Sequence, residues 1–152
     1  MKPSDDSLKE LRRQSHPNCV VCGSANRRGL WLSFRTEGNG TVVGTFGCEG
    51  VFEGYPDVLH GGVICALLDG AMTNCMFAHG YAAVTADLNV RFRESVSTSG
   101  WATVRAWVES SLQPLYKLAA ELIQDGEIKV TANAKFVEKT AADQLAKGKR
   151  RL

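Results

Sequence analysis

One short segment combines a histidine, two glycines and an acidic residue at a spacing that could support acyl-group chemistry. His60-Gly61-Gly62 is followed by Asp69, nine positions after the histidine. If a helix begins at the glycines, its free N–H groups and partial positive charge could hold a developing oxyanion. A carboxylate in that helix could activate water or attack an acyl carbon itself. The simpler alternatives are an ordinary helix start and an aspartate bonded to nearby backbone or to Thr73.

The residues after His60 carry the pattern of a buried helix from about Gly61 to Ala78. Apolar residues recur at helical spacing and also fill most remaining positions, which is typical of a helix packed on nearly all sides. Asp69 and Thr73 are polar exceptions four residues apart, so they share one face. Because a buried, unpaired carboxylate is costly, Asp69 needs either partners or a function.

The elements around this helix are predicted to form an antiparallel sheet. Their connections are short, and Asp125-Gly126 is a strong hairpin signal, so sequential strands cannot be parallel. A sheet of this kind around a single helix is an α+β fold. The predicted strands cover residues 30–36, 41–48, 84–93, 101–110, 114–124 and 127–138.

The strand after the helix alternates between apolar and polar residues and is expected to be half-buried. Arg91 and Arg93 fall on its polar side and could form a solvated face, or their guanidinium groups could bind phosphate. The apolar positions are Val84, Ala86, Leu88, Val90 and Phe92, and the polar ones are Thr85, Asp87, Asn89, Arg91 and Arg93.

A resemblance to a known family lies in the run Gly54-Tyr55-Pro56-Asp57-Val58-Leu59-His60-Gly61-Gly62-Val63-Ile64-Cys65-Ala66-Leu67-Leu68-Asp69. This run closely resembles the hotdog-fold thioesterases of the phenylacetate-degradation and 4-hydroxybenzoyl-CoA type. There, His-Gly-Gly opens a long central helix and an acidic residue follows at the same spacing. The resemblance spans roughly residues 30–138 and implies a hotdog fold, with an antiparallel sheet wrapped around one helix. It also implies an acyl-CoA thioester hydrolase without metal or organic cofactor.

The same resemblance implies roles for the matching residues. The Gly61 N–H would polarise the thioester carbonyl, Gly62 would let the helix approach the ligand, and Asp69 would be general base or nucleophile. Thr73 matches a hydroxyl that orients water in some members, and Thr85 matches a hydroxyl used in others. The site would lie between the subunits of a homodimer or a dimer of dimers, because related dimers supply the carboxylate from the opposite subunit.

Further candidates follow from the family comparison. Arg91 and Arg93 could contact the phosphates of coenzyme A, and His60 could hold its loop or contact substrate. Many relatives have Gln or Asn shortly before His-Gly-Gly, whereas here the nearest match is Glu53. A second carboxylate near Asp69 would raise one pKa, which could create an acid–base pair or mark a diverged activity.

Near the N-terminus, His16, Cys19 and Cys22 look like half of a metal site. Cys-x-x-Cys occurs in zinc knuckles, but a closed tetrahedral site needs four ligands, and Cys48 could be the fourth only if the fold brings it near. We therefore expect no metal here, and a tight loop that closes one end of the subunit instead. A redox pair is the remaining alternative, although no thioredoxin-like pattern surrounds it.

Length and composition indicate the domain organisation, the kinds of partner and the cellular location. The 152 residues predict a polar helix and Cys-x-x-Cys loop in 1–29, a hotdog domain in 30–138 and a basic tail in 139–152. The net charge of +2 is concentrated in that tail, which predicts a solvated end and no nucleic-acid partner. We expect no apolar run to reach the roughly 18 residues needed to span a membrane. The five cysteines and the lack of a secretory pattern predict a cytoplasmic protein.

Two other functions remain possible at this point. A hotdog hydratase or dehydratase would generally need a catalytic histidine paired with an acid in a different motif. A non-catalytic acyl-CoA-binding hotdog protein would keep the fold and the ligand but lack hydrolysis.

Overall fold

Six strands and three α-helices follow one another in residues 2–149, the part of the chain that the computed structural model describes. The helices are α1 (Asp5–Ser15), α2 (Gly61–Ala78) and α3 (Lys139–Lys149), and a short 3-10 turn covers Gly50–Phe52. The strands are β1 (Phe34–Thr36), β2 (Val42–Gly47), β3 (Ala83–Phe92), β4 (Trp101–Leu112), β5 (Leu115–Gln124) and β6 (Glu127–Glu138).

The strands form one antiparallel sheet in the order β1-β2-β4-β5-β6-β3. Strands β5 and β6 make the predicted hairpin, and Asp125 and Gly126 take the positive φ values of 53° and 75° that its tight turn requires. Strand β3 lies at one edge and pairs only with β6 among the described strands. The prediction of an α+β fold, with an antiparallel sheet around one helix, is therefore confirmed.

Helix α2 is the centre of the core and has the predicted bounds. It packs against the inner face of the sheet, where Val104, Leu118 and Phe136 are fully buried. Side chains from almost every side of the helix are excluded from solvent, as its apolar sequence predicts. The buried positions include Ile64, Leu67, Leu68, Ala71, Met72, Cys75, Met76 and Phe77.

By length and composition alone, α2 could also cross a membrane, since its 18 residues have a mean hydropathy of 1.4. The expectation that no apolar run reaches this length is therefore wrong for α2. Within the fold, 67% of this window is buried. Packing inside the sheet accounts for the apolar character of the helix, and core helices commonly meet the same criterion.

Before the sheet, the N-terminal segment folds onto the second half of α2. Helix α1 is the polar helix predicted within residues 1–29; it is capped by the Ser4 side chain and buries Leu8. Residues 30–33 were expected to belong to the first strand, but in the structure they lie outside it. The N–H of Leu30 donates to the Val20 carbonyl at 2.7 Å, and that of Leu32 to the Val21 carbonyl at 2.9 Å. These residues are thus bonded to the Cys-x-x-Cys loop instead of to β2.

After the sheet, the chain continues into a helix where a solvated basic tail is expected. Helix α3 follows β6 directly, and most of its side chains are exposed. Of the basic residues that define the tail, Arg150 and Arg151 lie outside the described residues.

Candidate active site

The side chain of the residue before α2 caps the start of this helix. His60 is the N-cap residue, and its Nδ1 accepts a hydrogen bond from the Gly62 N–H at 2.8 Å. The His60 N–H donates to the Phe52 carbonyl at 2.9 Å. Within residues 2–149, no acceptor is present for the Gly61 N–H. The His60 side chain thus caps the helix and leaves the Gly61 N–H available to a ligand, and its contact with substrate remains a prediction.

A cleft of about 740 Å³ opens beside this helix start. Its walls include Tyr55, His60, Gly61, Phe92 and Arg93. A Cβ added to Gly61 would lie 3.5 Å from the Phe92 ring, which is 51% exposed. The free N–H therefore lies near the Phe92 ring, in a cleft whose lining also includes Arg93 and Glu94. Tyr55 and Phe92 were not predicted as site residues, although the apolar alternation of β3 does include Phe92.

Asp69 is half-buried on α2 and has a specific partner. Its Oδ1 accepts a hydrogen bond from the Thr85 hydroxyl at 2.5 Å. Loss of solvation raises the pKa of the Asp69 carboxyl, and the Thr85 hydrogen bond acts in the opposite direction. The result is a carboxylate with one fixed oxygen in a partly dehydrated environment, which is suitable for a general base or a nucleophile.

Thr85 reaches Asp69 because β3 contains a bulge. The register shifts between Thr85 and Asp87, so one extra residue interrupts the alternation. Thr85 pairs with Phe136, which is fully buried, and therefore shares the inner face of the sheet with it. Asp87 pairs with the exposed Lys135 on the outer face. The sequence-based assignment of Thr85 to the polar face of the strand is thus wrong.

Thr73 lies one turn beyond Asp69, as predicted, and is only 6% exposed. Cys65 lies one turn before Asp69 on the same side of α2, and burial together with the Asp69 charge raises the pKa of its thiol. This side of the helix therefore carries Cys65, Asp69 and Thr73 in successive turns. The orienting role of Thr73 remains a prediction.

Within one chain, the free N–H and the carboxylate are far apart. Gly61 and Asp69 are eight residues apart in one helix, which corresponds to about 12 Å along its axis. Asp69 is also not among the residues that line the cleft. A single subunit therefore does not bring the two groups to one reacting carbonyl.

Glu53 and Arg91 are not brought to this site by the chain that carries them. The Glu53 carboxylate accepts the Asp57 N–H at 3.1 Å and closes an exposed turn, and it is not among the groups that act on the pKa of Asp69. Arg91 pairs with Thr131 on the outer face of β3, whereas Arg93 follows the strand and lines the cleft. The roles predicted for these three residues remain predictions.

The metal-like cluster lies apart from the cleft. The ligand atoms of His16, Cys19 and Cys22 are all within 4.8 Å of one another. Cys48 is not part of this group, since the Gln124 side chain donates a hydrogen bond to its sulfur at 3.7 Å elsewhere in the core. Three candidate ligands are therefore together, and the suggested fourth is not.

Comparison with known proteins relates this chain to thioesterases. Residues 57–131 match the family model described as the thioesterase superfamily, which confirms the predicted resemblance. A solved thioesterase superfamily protein is 25% identical with a TM-score of 0.73, over 78% of this chain and 62% of that one. The chain thus spans less than two thirds of that relative. No curated protein matches the sequence.

Two further solved structures share the fold. A phenylacetic acid degradation-related protein from Ralstonia eutropha JMP134 is 23% identical with a TM-score of 0.70, over 86% of this chain and 98% of that one. A protein from Streptococcus mutans UA159, solved bound to acetyl CoA, is 16% identical with a TM-score of 0.66, over 71% and 88% of the two chains.

Proposed function

We propose that this chain, whose residues 57–131 match the model of the thioesterase superfamily, hydrolyses acyl-CoA thioesters at a site shared by two subunits. The observation that carries the proposal is the Asp69 carboxylate, half-buried and fixed by Thr85 on the helix whose first N–H is free. The acetyl CoA in the Streptococcus mutans structure supports the choice of thioester. The cleft beside Gly61 offers apolar surface to an acyl group and Arg93 to a phosphate.

In the proposed reaction, the thioester oxygen accepts the Gly61 N–H, which polarises the carbonyl carbon. Asp69 removes a proton from water while the water oxygen bonds to that carbon, or the carboxylate attacks the carbon and water hydrolyses the resulting anhydride. In both routes the C–S bond breaks, and the coenzyme A thiolate leaves and takes up a proton. One oxyanion donor of this kind is worth about 2.7–4 kcal/mol in the transition state.

The second subunit follows from the distance between the two groups. Because about 12 Å separates Gly61 from Asp69 in one helix, the two can act on one carbonyl only if they come from different chains. Strand β3 offers a surface for pairing, since one of its edges has no neighbour among the described strands and Val84 and Phe92 are exposed on it. A homodimer, alone or as half of a dimer of dimers, completes the site in this proposal.

Thiol release from a panel of short, long and aromatic acyl-CoAs tests the proposed activity. We expect hydrolysis of at least one of them and a loss of about 10²–10⁴-fold in kcat/KM for Asp69→Asn. Asp6→Asn is the matched control, because Asp6 is an exposed aspartate on α1, outside both the cleft and strand β3. Near-native turnover by Asp69→Asn would exclude this mechanism. Tight acyl-CoA binding without any thiol release would identify a binding protein instead.

A further inference from the structure

The loop after α1 holds three potential metal ligands that the proposed reaction does not use. His16 ends α1, and Cys19 and Cys22 follow in one tight loop, with all three ligand atoms within 4.8 Å of one another. Imidazole nitrogen and cysteine sulfur are the ligands that Zn²⁺ prefers. None of the three cysteines outside this loop belongs to the cluster.

The backbone fixes the relative positions of these ligands. The Gly23 N–H donates to the Cys19 carbonyl at 2.9 Å, and the Cys19 N–H donates to the His16 carbonyl at 3.3 Å. A Cβ on Gly23 would lie 2.3 Å from the Cys19 nitrogen, so only glycine fits this turn. The His16 ring packs edge-on against Phe77 of α2, with 5.1 Å between ring centroids. The ligand set is therefore preorganised by both the loop and the core helix.

Both sulfurs are positioned as hydrogen-bond acceptors. The Val21 N–H points at the Cys19 sulfur, with 3.4 Å between nitrogen and sulfur, and the Asn74 amide nitrogen lies 3.5 Å from the Cys22 sulfur. Such bonds favour thiolates, which accept more strongly than thiols. Donors placed beside the sulfurs in this way are the outer-shell contacts that support metal-bound ligands.

Asn74, whose amide nitrogen contacts the cluster, also carries an unsatisfied buried acceptor. It lies on α2, is fully buried and donates its second amide hydrogen to the Gly70 carbonyl at 2.8 Å. Its Oδ1 has no hydrogen-bond partner among the described residues. A buried acceptor left without a donor costs about 1–3 kcal/mol, so such atoms usually contact an ordered water or an ion.

We propose that His16, Cys19 and Cys22 bind one Zn²⁺ ion, with a water molecule as the fourth ligand. The water supplies the donor that the Asn74 oxygen lacks, and the Asn74 amide supports the Cys22 thiolate as an outer-shell partner. This site replaces the metal-free loop expected from the sequence. The ion holds the loop against α2 where Val21 packs on Gly70, the residue after Asp69.

Zinc titration of the full chain tests the site directly and does not depend on thioesterase activity. The protein is purified under a thiol reductant, stripped with a chelator and titrated with Zn²⁺ against a chromophoric zinc indicator. We expect about one Zn²⁺ per chain. Co²⁺ should give thiolate-to-cobalt charge transfer and the visible bands of tetrahedral coordination. Cys19→Ser, Cys22→Ser and His16→Ala should each weaken binding by more than the roughly 10–100-fold expected for loss of an outer-shell partner.

Cys65→Ser is the matched control, because Cys65 is a partly exposed thiol outside the cluster and should leave zinc binding unchanged. If a ligand variant does not fold, thermal unfolding of the wild type with and without Zn²⁺ still tests the site. The wild type should gain stability with zinc, as a site present only in the folded chain requires. No stoichiometric binding by the wild type, equal binding by the Cys19→Ser and Cys65→Ser variants, or a Cys19–Cys22 disulfide under reductant would each overturn the proposal.

Discussion

At the scale of single residues, the chemistry of the site depends on two opposing influences on Asp69. Burial raises the pKa of its carboxyl, and the hydrogen bond from Thr85 lowers it. Asp69 must be ionised to act as base or nucleophile, so its pKa sets the acid limit of the proposed activity. Thr85 is then a positioning residue, since it acts on the reaction through the carboxylate.

Replacing Thr85 with valine should move that acid limit to higher pH. The variant keeps the shape of the side chain but loses the hydroxyl, so the influence that lowers the Asp69 pKa disappears and burial remains. The measurement is the pH dependence of kcat/KM on the acid side. Thr85→Ser retains a hydroxyl and should keep the wild-type profile. If Thr85→Val lowers kcat/KM at every pH without shifting its acid limit, Thr85 does not affect the pKa of Asp69.

His60 is expected to act through helix capping, because its Nδ1 accepts the Gly62 N–H. His60→Ala removes the acceptor and should lower the free energy of unfolding by about 0.5–2 kcal/mol, as measured by denaturant titration. His60→Asn restores a good N-cap acceptor and should recover most of that stability and the activity. If His60→Asn is stable but its KM for acyl-CoA rises strongly, the histidine contacts substrate instead.

At the scale of secondary-structure elements, strong periodic signals predicted the structure well. Helix α2 has its predicted bounds because its apolar pattern begins at glycines and ends where the β alternation starts. The Asp125-Gly126 turn was predictable because few residues adopt its positive φ values. These features depend only on residues that are close in sequence.

Elements that depend on distant contacts were not predictable in the same way. Counting every second residue cannot detect the extra residue between Thr85 and Asp87, so the contact between Thr85 and Asp69 was missed. Residues 30–33 have a strand-like sequence, but the chain offers them the Cys-x-x-Cys loop as a partner. The cluster of His16 and the two cysteines could be suspected from spacing, whereas its partner Asn74 lies 52 residues after Cys22.

The packing of the N-terminal loop on α2 explains why position 70 is glycine. A Cβ on Gly70 would lie 2.6 Å from Cγ1 of Val21. Gly70→Ala should therefore destabilise the protein by about 1–3 kcal/mol through overpacking, although alanine favours the helix itself. In a Val21→Ala background the 2.6 Å contact is absent and only the Cβ of residue 21, at 3.1 Å, remains close, so the same substitution should destabilise the protein much less. The free energy of unfolding is measured by denaturant titration. If Gly70→Ala changes it equally in the two backgrounds, contact with Val21 is not the reason that position 70 is glycine.

At the scale of the whole molecule, the central question is whether the site lies between two chains. Gly61→Pro can remove the N–H selectively, because proline is favoured at the first helical position and His60 already has the extended backbone that precedes proline. This variant should fold and lose about 10²–10³-fold in kcat. Gly61→Ala keeps the N–H and is the control, since its Cβ would make only ordinary contact with Phe92.

Mixing the two inactive variants then tests the shared site. In a dimer of one Gly61→Pro chain and one Asp69→Asn chain, one site receives an intact Gly61 and an intact Asp69, and the other receives neither. When equal amounts of the two variants are refolded together, about half of the dimers contain one chain of each. Because each mixed dimer has one working site of two, activity should recover to about one quarter of wild type. A site within one chain would give no recovery, because each chain lacks one of the two groups. The recovered activity should co-elute with the dimer in size-exclusion chromatography, which would link the chemistry of Asp69 to the proposed dimer.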